Sequence, residues 1–184
     1  MSAILRDMTI LTIGHSNRTF DEFIHLLQAH EVAAIAYIRS FPSSRKFPHF
    51  NKQNFEDELP SHELEYLWIP KLGGRRRAVK GRESLNTALT SPAFRSYADY
   101  MATQEFREGI DELLTLSTRL KVAYMCAEAL YWRCHRRLVS DYLCSIGVEV
   151  IHIMGPKNTV PHKLSAEAVL TSEGTLIYPS PTVA

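Results

Sequence analysis

"KVAYMCAEALYWRCHRRLVSDYLCSIG", residues 121–147, changes its hydrophobic period halfway, and that change decides the fold. Residues 121–127 form a short apolar run of strand length. The later part sets Leu138, Val139, Tyr142, Leu143 and Ile146 at helical spacing and stops at Gly147, a natural C-terminal cap. A buried strand that passes through a polar loop into an amphipathic helix is the unit from which helix-covered parallel sheets are built. The loop between them holds Cys126, Glu128, Cys134, His135, Arg133, Arg136 and Arg137. It can be read as a reactive thiol site at a helix start, as a metal clip, or as an ordinary helix entrance.

The same unit recurs on either side. "MTILTIG" (8–14), "VAAIAYI" (32–38), "LEYLWIP" (64–70) and "VEVIHIM" (148–154) read as further strands. Thr19 with Glu22 three places on forms a capping box for a helix whose apolar side is Phe23, Ile24, Leu26 and Leu27. Asn51 is suited to cap "KQNFEDEL", which Pro60 ends, and helical periodicity returns in "AFRSYADYMAT" and "EFREGIDELLTLST". The expected fold class is α/β: one domain over residues 1–184, with an open, mostly parallel sheet of about five strands and helices on both faces. Its core is expected at about 8–155. Residues 156–184 are expected as a tail folded over it, with a short strand pair around Glu173-Gly174.

Composition narrows the functional classes. The 184 residues carry 21 Lys plus Arg against 20 Asp plus Glu, so the net charge of +1 gives no general pull toward nucleic acid or an acidic membrane. Any anion preference must be local. The N-terminal residues lack the basic-then-apolar pattern of a secretory signal, and no apolar run approaches the ~18 residues of a membrane span, so a soluble cytoplasmic protein is expected. Three cysteines do not make a disulfide framework, so their chemistry belongs to a reducing compartment.

In an open α/β sheet the ligand site lies outside the carboxyl ends of the strands. That rule selects "GHSN", "RSFPSSR", "PKLGGRRR" and "CAEALYWRCHRR". They offer His15, Ser16, Asn17, Arg39, Ser40, Ser44, Arg45, Gly73, Gly74, Arg75, Arg76, Arg77, Cys126, Glu128, Cys134, His135 and Arg136. Cys126 ends a strand and either faces the crevice or serves as a small buried hydrophobe. If the helix begins near Trp132, Cys134 lies in its first turn, where free N–H groups and neighbouring arginines favour thiolate. Cys144, near the far end of that helix, is expected in the core. His135 is either the base for a thiol or an exposed helix-start residue, and Glu128 either moves a proton or pairs with an arginine. His15, Ser16 and Asn17 hold an anion or cap a helix. Arg39, Ser40 and Arg45 bind an anion or are solvated, and Gly73-Gly74 would let backbone amides approach a phosphate beside Arg75 to Arg77.

Cys126, Glu128, Cys134 and His135, with His15 or His162, are acceptable zinc ligand types. The spacing argues against a metal: zinc ligands come in pairs two to four residues apart, and Cys134 and His135, adjacent on one helix, would diverge. No metal is expected, and the residues designate no cofactor or oligomeric state.

"LTIGHSNRTFDEFIHLL", "RSFPSSRKFPHFNKQNF", "LGGRR", "YADYMATQEF" and "MCAEALYWRCHRRLVSDYL" together resemble the bacterial and archaeal family catalogued as domain of unknown function 488, over nearly the whole chain. The resemblance puts weight on Gly14, His15, Ser16, Arg39, Cys126, Glu128, Cys134, His135 and Arg136. It implies no settled activity. In one place the chain departs from the family: an Asp is usual where "AYIRSFP" has Tyr37, which removes any role that needs that carboxylate. A weaker likeness is to rhodanese and cysteine-phosphatase architecture, in which a cysteine ends a parallel strand and an arginine-bearing loop leads into a helix.

Three functions compete on these residues. The first is a thiol-dependent transferase or hydrolase for a small anionic or nucleotide-like substrate, gripped by Arg39, Arg136 and loop amides. The second is a nucleic-acid-associated module using the basic loop 71–82, with Phe50, Tyr131 or Trp132 stacking a base. The third is a thiol redox or metal-binding protein, which requires Cys126 and Cys134 to be near neighbours.

Overall fold

The computed structural model describes residues 5, 7–78, 81 and 83–181. Val79, Lys80 and Arg82 of the basic loop and both ends of the expected 1–184 domain lie outside them. The strands are β1 (Thr9–Gly14), β2 (Ala34–Tyr37), β3 (Glu65–Trp68), β4 (Val122–Cys126), β5 (Glu149–Gly155) and β6 (Asn158–Pro161), with a separate pair, β7 (Val169–Leu170) and β8 (Leu176–Ile177). The helices are α1 (Phe20–Ala29), α2 (Lys52–Glu58), α3 (Pro92–Met101), α4 (Gln104–Ser117) and α5 (Arg136–Ser145).

The sheet order is β3-β2-β4-β1-β5-β6; β1 to β5 are parallel and β6 runs antiparallel along β5. Successive strand side chains point to opposite faces, and here both faces are apolar. Ile10, Ala34, Ala36, Val122, Tyr124 and Val150 pack toward α3, α4 and α5. Leu11, Ile13, Ile35, Tyr37, Ala123 and Met125 pack toward α1 and α2. The expected α/β domain with helices on both faces is therefore found.

β1 and β4 lie side by side in the middle, paired as Gly14↔Cys126. From β1 the chain leaves toward α1 on one face, and from β4 toward α5 on the other. Neighbouring loops that part in this way open a crevice at the strand tips. Gly14 lets them start close together, because a Cβ there would lie 1.9 Å from the Glu128 carbonyl oxygen.

The sheet of about five strands is extended by one at its edge, and two local expectations need correction. The sheet has a sixth strand, β6, which a two-residue turn brings back antiparallel to β5; its polar, Pro-terminated sequence suits a sheet edge and hid it from a hydrophobicity reading. Asn51 precedes α2, but its side chain accepts from the Ser44 N–H rather than from the helix. The last helix begins at Arg136, not near Trp132. Tyr131–Arg133 form a 3-10 turn, and Cys134 is extended at φ −122°, ψ 150°. The Thr19–Glu22 capping box, the Gly147 stop at φ 94° and the strand pair around Gly174 are all present.

Side chains of the described C-terminal residues reach the rest of the molecule. Leu176 and Tyr178 join the core. The buried Asp141 carboxylate of α5 accepts from His162 Nε2 (2.9 Å), the Ser165 N–H (2.9 Å) and hydroxyl (2.7 Å), and the Tyr178 hydroxyl (3.0 Å).

Candidate active site

Cys126 is the last residue of β4, and Cys134 and His135 are the two residues before α5. Because Cys134 is extended rather than helical, its side chain and that of His135 do not diverge as they would on one helix. His135 Nδ1 lies 3.5 Å from Cys134 Sγ and 4.0 Å from Cys126 Sγ, and all three donor atoms fall within 4.8 Å of one another. They are nearly enclosed, at 8%, 5% and 9% exposure respectively.

The His135 tautomer follows from its partner. Nε2 is 3.1 Å from the Ile38 carbonyl, which can only accept, so Nε2 carries a hydrogen and Nδ1 is the nitrogen that faces the sulfurs, placed to take a thiol proton and, holding it, to donate to the thiolate. Tyr97 packs edge-on against the imidazole at 5.2 Å between centroids, and its hydroxyl donates to the Leu72 carbonyl at 2.7 Å. Gly74 fits against the ring because it lacks a Cβ, which would lie 2.5 Å from Nδ1. The glycine therefore makes room for the imidazole.

Two sulfurs this close do not readily ionise together. Cys126 is pushed well above the ordinary thiol range by the neighbouring Cys134 sulfur and by burial. Cys134 is held well below it, first by the Cys126 thiol that shares its proton, then by His135 and the Arg136 guanidinium. Arg136 is buried; it donates to Thr12 Oγ1 at 3.2 Å and to the carbonyls of Glu128 and Ala129. Among the described residues no carboxylate pairs with it. An anionic sulfur nearby offsets a cation placed in this way.

Cys126 and His135 line a cleft of about 620 Å³ together with Arg39, Ser40, Gly74 and Arg75. Arg39 also borders an adjacent cleft of about 490 Å³, whose walls include His15, Ser16, Asn17, Ser44 and Glu128. His15 is stacked on Phe50 at 4.2 Å, its Nε2 has no hydrogen-bond partner, and burial lowers its pKa to about 4. Gly73 abuts Ser40, where a Cβ would lie 2.3 Å from the hydroxyl oxygen.

Other expected residues sit apart from the thiols. Glu128 is exposed; its carboxylate accepts from the Leu130 N–H at 3.2 Å rather than pairing with an arginine. Arg45 is exposed and lines neither cleft. Arg76 donates to the carbonyls of Gly73, Pro70 and Lys71 and lies 3.6 Å over the Tyr100 ring, which leaves Arg75 and Arg77 as the exposed members of that run. Cys144 is half-buried on α5. Tyr37 is buried with its pKa raised to about 12 by desolvation.

Tyr97 and the Ile38 carbonyl, which hold His135, were not among the residues picked from sequence. Nor was the buried chain in which His162 joins Asp141 to His152 at 2.9 Å. "YADYM" carries Tyr97 at helical spacing, which looks like any core residue. A backbone carbonyl leaves no mark in a sequence.

The fold and these contacts define an α/β domain with a thiol–imidazole cluster at the central strand tips, beside an arginine-lined cleft. The family described as domain of unknown function DUF488 matches residues 19–143, and the chain belongs to it. Comparison with curated proteins and with solved structures gave no match. Among the described residues no helix is long and apolar enough to cross a membrane.

Proposed function

We propose that the protein is a thiol-dependent enzyme that transfers or hydrolyses a group of a small anionic substrate. The observation that carries this reading is the convergence of Cys126, Cys134 and His135 Nδ1 at a cleft lined by Arg39. Cys126, which borders the cleft, is the attacking thiol, and the Cys134–His135 pair takes its proton as the sulfur bonds to the electrophile and the leaving group departs. Arg39 and the Ser40 hydroxyl bind the anionic part, and water or a second acceptor then releases the group from sulfur.

Trapping tests this directly. Metal-free, reduced protein is incubated with panels of phosphorylated, sulfated and carboxylated small molecules, and turnover is followed before and after iodoacetamide treatment. Turnover of at least one panel member, lost when Cys126 is alkylated and absent from Cys126→Ser, is the expected result. Turnover that survives alkylation of both buried cysteines refutes the thiol mechanism.

A further inference from the structure

We propose that Cys126, Cys134 and His135 together form a zinc(II) site whose fourth position opens on the cleft beside Arg39, and that the bound ion shields both thiols from electrophiles. The site uses the same convergence of donors that carries the thiol reading, and it adds a means of regulating it.

The donor set comes first. Two thiolates and one imidazole match zinc's preferred ligands, and three protein ligands with one open position is the arrangement of zinc sites that bind an exchangeable group. The spacing agrees. Zinc–sulfur bonds of about 2.3 Å and zinc–nitrogen bonds of about 2.0 Å place S and N about 3.6 Å apart on a tetrahedron, and two sulfurs about 3.8 Å apart. The observed S–N separations are 3.5 and 4.0 Å, and the sulfurs lie within 4.8 Å of each other. Closing the ion's shell requires at most about 1 Å of sulfur movement.

The surroundings add two further points. A metal-bound histidine usually donates its other N–H to a carbonyl or carboxylate, which fixes the ring and its tautomer. His135 donates to the Ile38 carbonyl at 3.1 Å, and Tyr97 packs against the ring. The open direction is also defined. Cys126 and His135 line the 620 Å³ cleft, so a fourth ligand reaches the ion from the side where Arg39 stands. The expectation against a metal rested on Cys134 and His135 diverging on a helix, but Cys134 is extended and both point at Cys126.

Binding is a substitution without redox change. The ion replaces the protons on the sulfurs, which pass to solvent, and each sulfur lone pair that would attack an electrophile becomes a bond to zinc. The metal-free protein is then the thiol-reactive form and the loaded protein the protected one.

The test uses the full chain, reduced, stripped with a chelator and kept anaerobic. Cobalt(II) is titrated in as a visible probe, then displaced by zinc(II). Expected are sulfur-to-cobalt charge-transfer and intense tetrahedral bands that saturate at one equivalent and vanish on zinc addition. Zinc should also slow iodoacetamide alkylation of Cys126 and Cys134 at least tenfold, while the half-buried Cys144 is alkylated at an unchanged rate. Cys126→Ser and Cys134→Ser should each lose more than the ~100-fold in affinity that loss of a second-shell partner costs; Cys144→Ser should lose none.

Should a cysteine variant fail to fold, X-ray absorption of the zinc-loaded natural chain counts the ligands directly, with two sulfurs and one imidazole nitrogen expected. A six-coordinate, oxygen-ligated cobalt spectrum, or alkylation unaffected by zinc, overturns the site. Turnover lost on alkylation in a protein that gives no sulfur–cobalt signal removes the metal and keeps the enzyme reading. A sulfur-ligated ion in a protein without thiol-dependent turnover does the reverse.

Discussion

His135 Nε2 donates to the Ile38 carbonyl at 3.1 Å, joining residues 97 positions apart so that the other ring nitrogen faces two sulfurs. This bond sets the tautomer, and the tautomer sets what the cluster can do. Its geometry also depends on Gly74, which leaves room for the ring.

Gly74→Ala should therefore disturb the cluster more than the fold. The added methyl must displace the imidazole or the loop, an overpacking cost of about 1–3 kcal/mol. Urea denaturation should register that loss, and alkylation of Cys126 and Cys134 should change rate by more than the stability loss explains. Unaltered alkylation kinetics would mean that the ring does not govern the thiols.

Arg39 and Arg136 should separate cleanly. Arg39 is half-buried at the cleft, so Arg39→Ala is expected to leave the melting temperature nearly unchanged and to weaken binding of an anionic substrate at least tenfold. Arg136 is buried among backbone carbonyls. Arg136→Ala should cost roughly 2–5 kcal/mol by stranding the Glu128 and Ala129 carbonyls. Thermal melts and anion titrations of the two variants check the contrast.

Asp141→Ala should loosen the C-terminal segment. It leaves His162, Ser165 and Tyr178 without their shared acceptor, a loss of about 3–5 kcal/mol for a buried network of this kind. Limited proteolysis should then cut within residues 156–181 well before the sheet core. Uniform protection of that segment would argue against Asp141 as its anchor.

Acid should destabilise the fold before most carboxylates titrate. Burial lowers His15 to about 4 and His152 to about 3, against 6.5 for a free histidine. Above pH 6.5 both are neutral whether folded or unfolded, and the stability is fully present. As pH falls below 6.5 the unfolded chain takes up protons that the folded one refuses, so stability drops, by up to roughly 3 kcal/mol per histidine near pH 4. Urea midpoints measured with chelator present should fall from pH 7 to pH 5, and the fall should shrink in His15→Phe and His152→Phe.

Much of the fold is legible in the chain itself. The apolar runs of β1 to β5, the Thr19–Glu22 box and the Gly147 stop depend on nearest neighbours and on hydrophobic period, both written along the chain. Strand tips also marked where a site would form, and Cys126, Cys134, His135 and Arg39 were picked out on that ground. Two things were not legible. The β6 edge strand depends on pairing with β5 rather than on its own polar composition. Cys134 looked helical because its neighbours are, yet the chain stays extended there and α5 begins only at Arg136.

Residue types, periodicity and caps are local properties, and from them the chain alone determined an α/β sheet with thiols, an imidazole and arginines near its strand tips. Only the tertiary structure decided which of these groups meet. The parting of β1 and β4, the Ile38 carbonyl and the space above Gly74 bring His135 Nδ1 to both sulfurs, while Arg136 is turned inward to backbone carbonyls. Distances between residues far apart in sequence arise from packing of the whole sheet, which no short stretch of letters encodes.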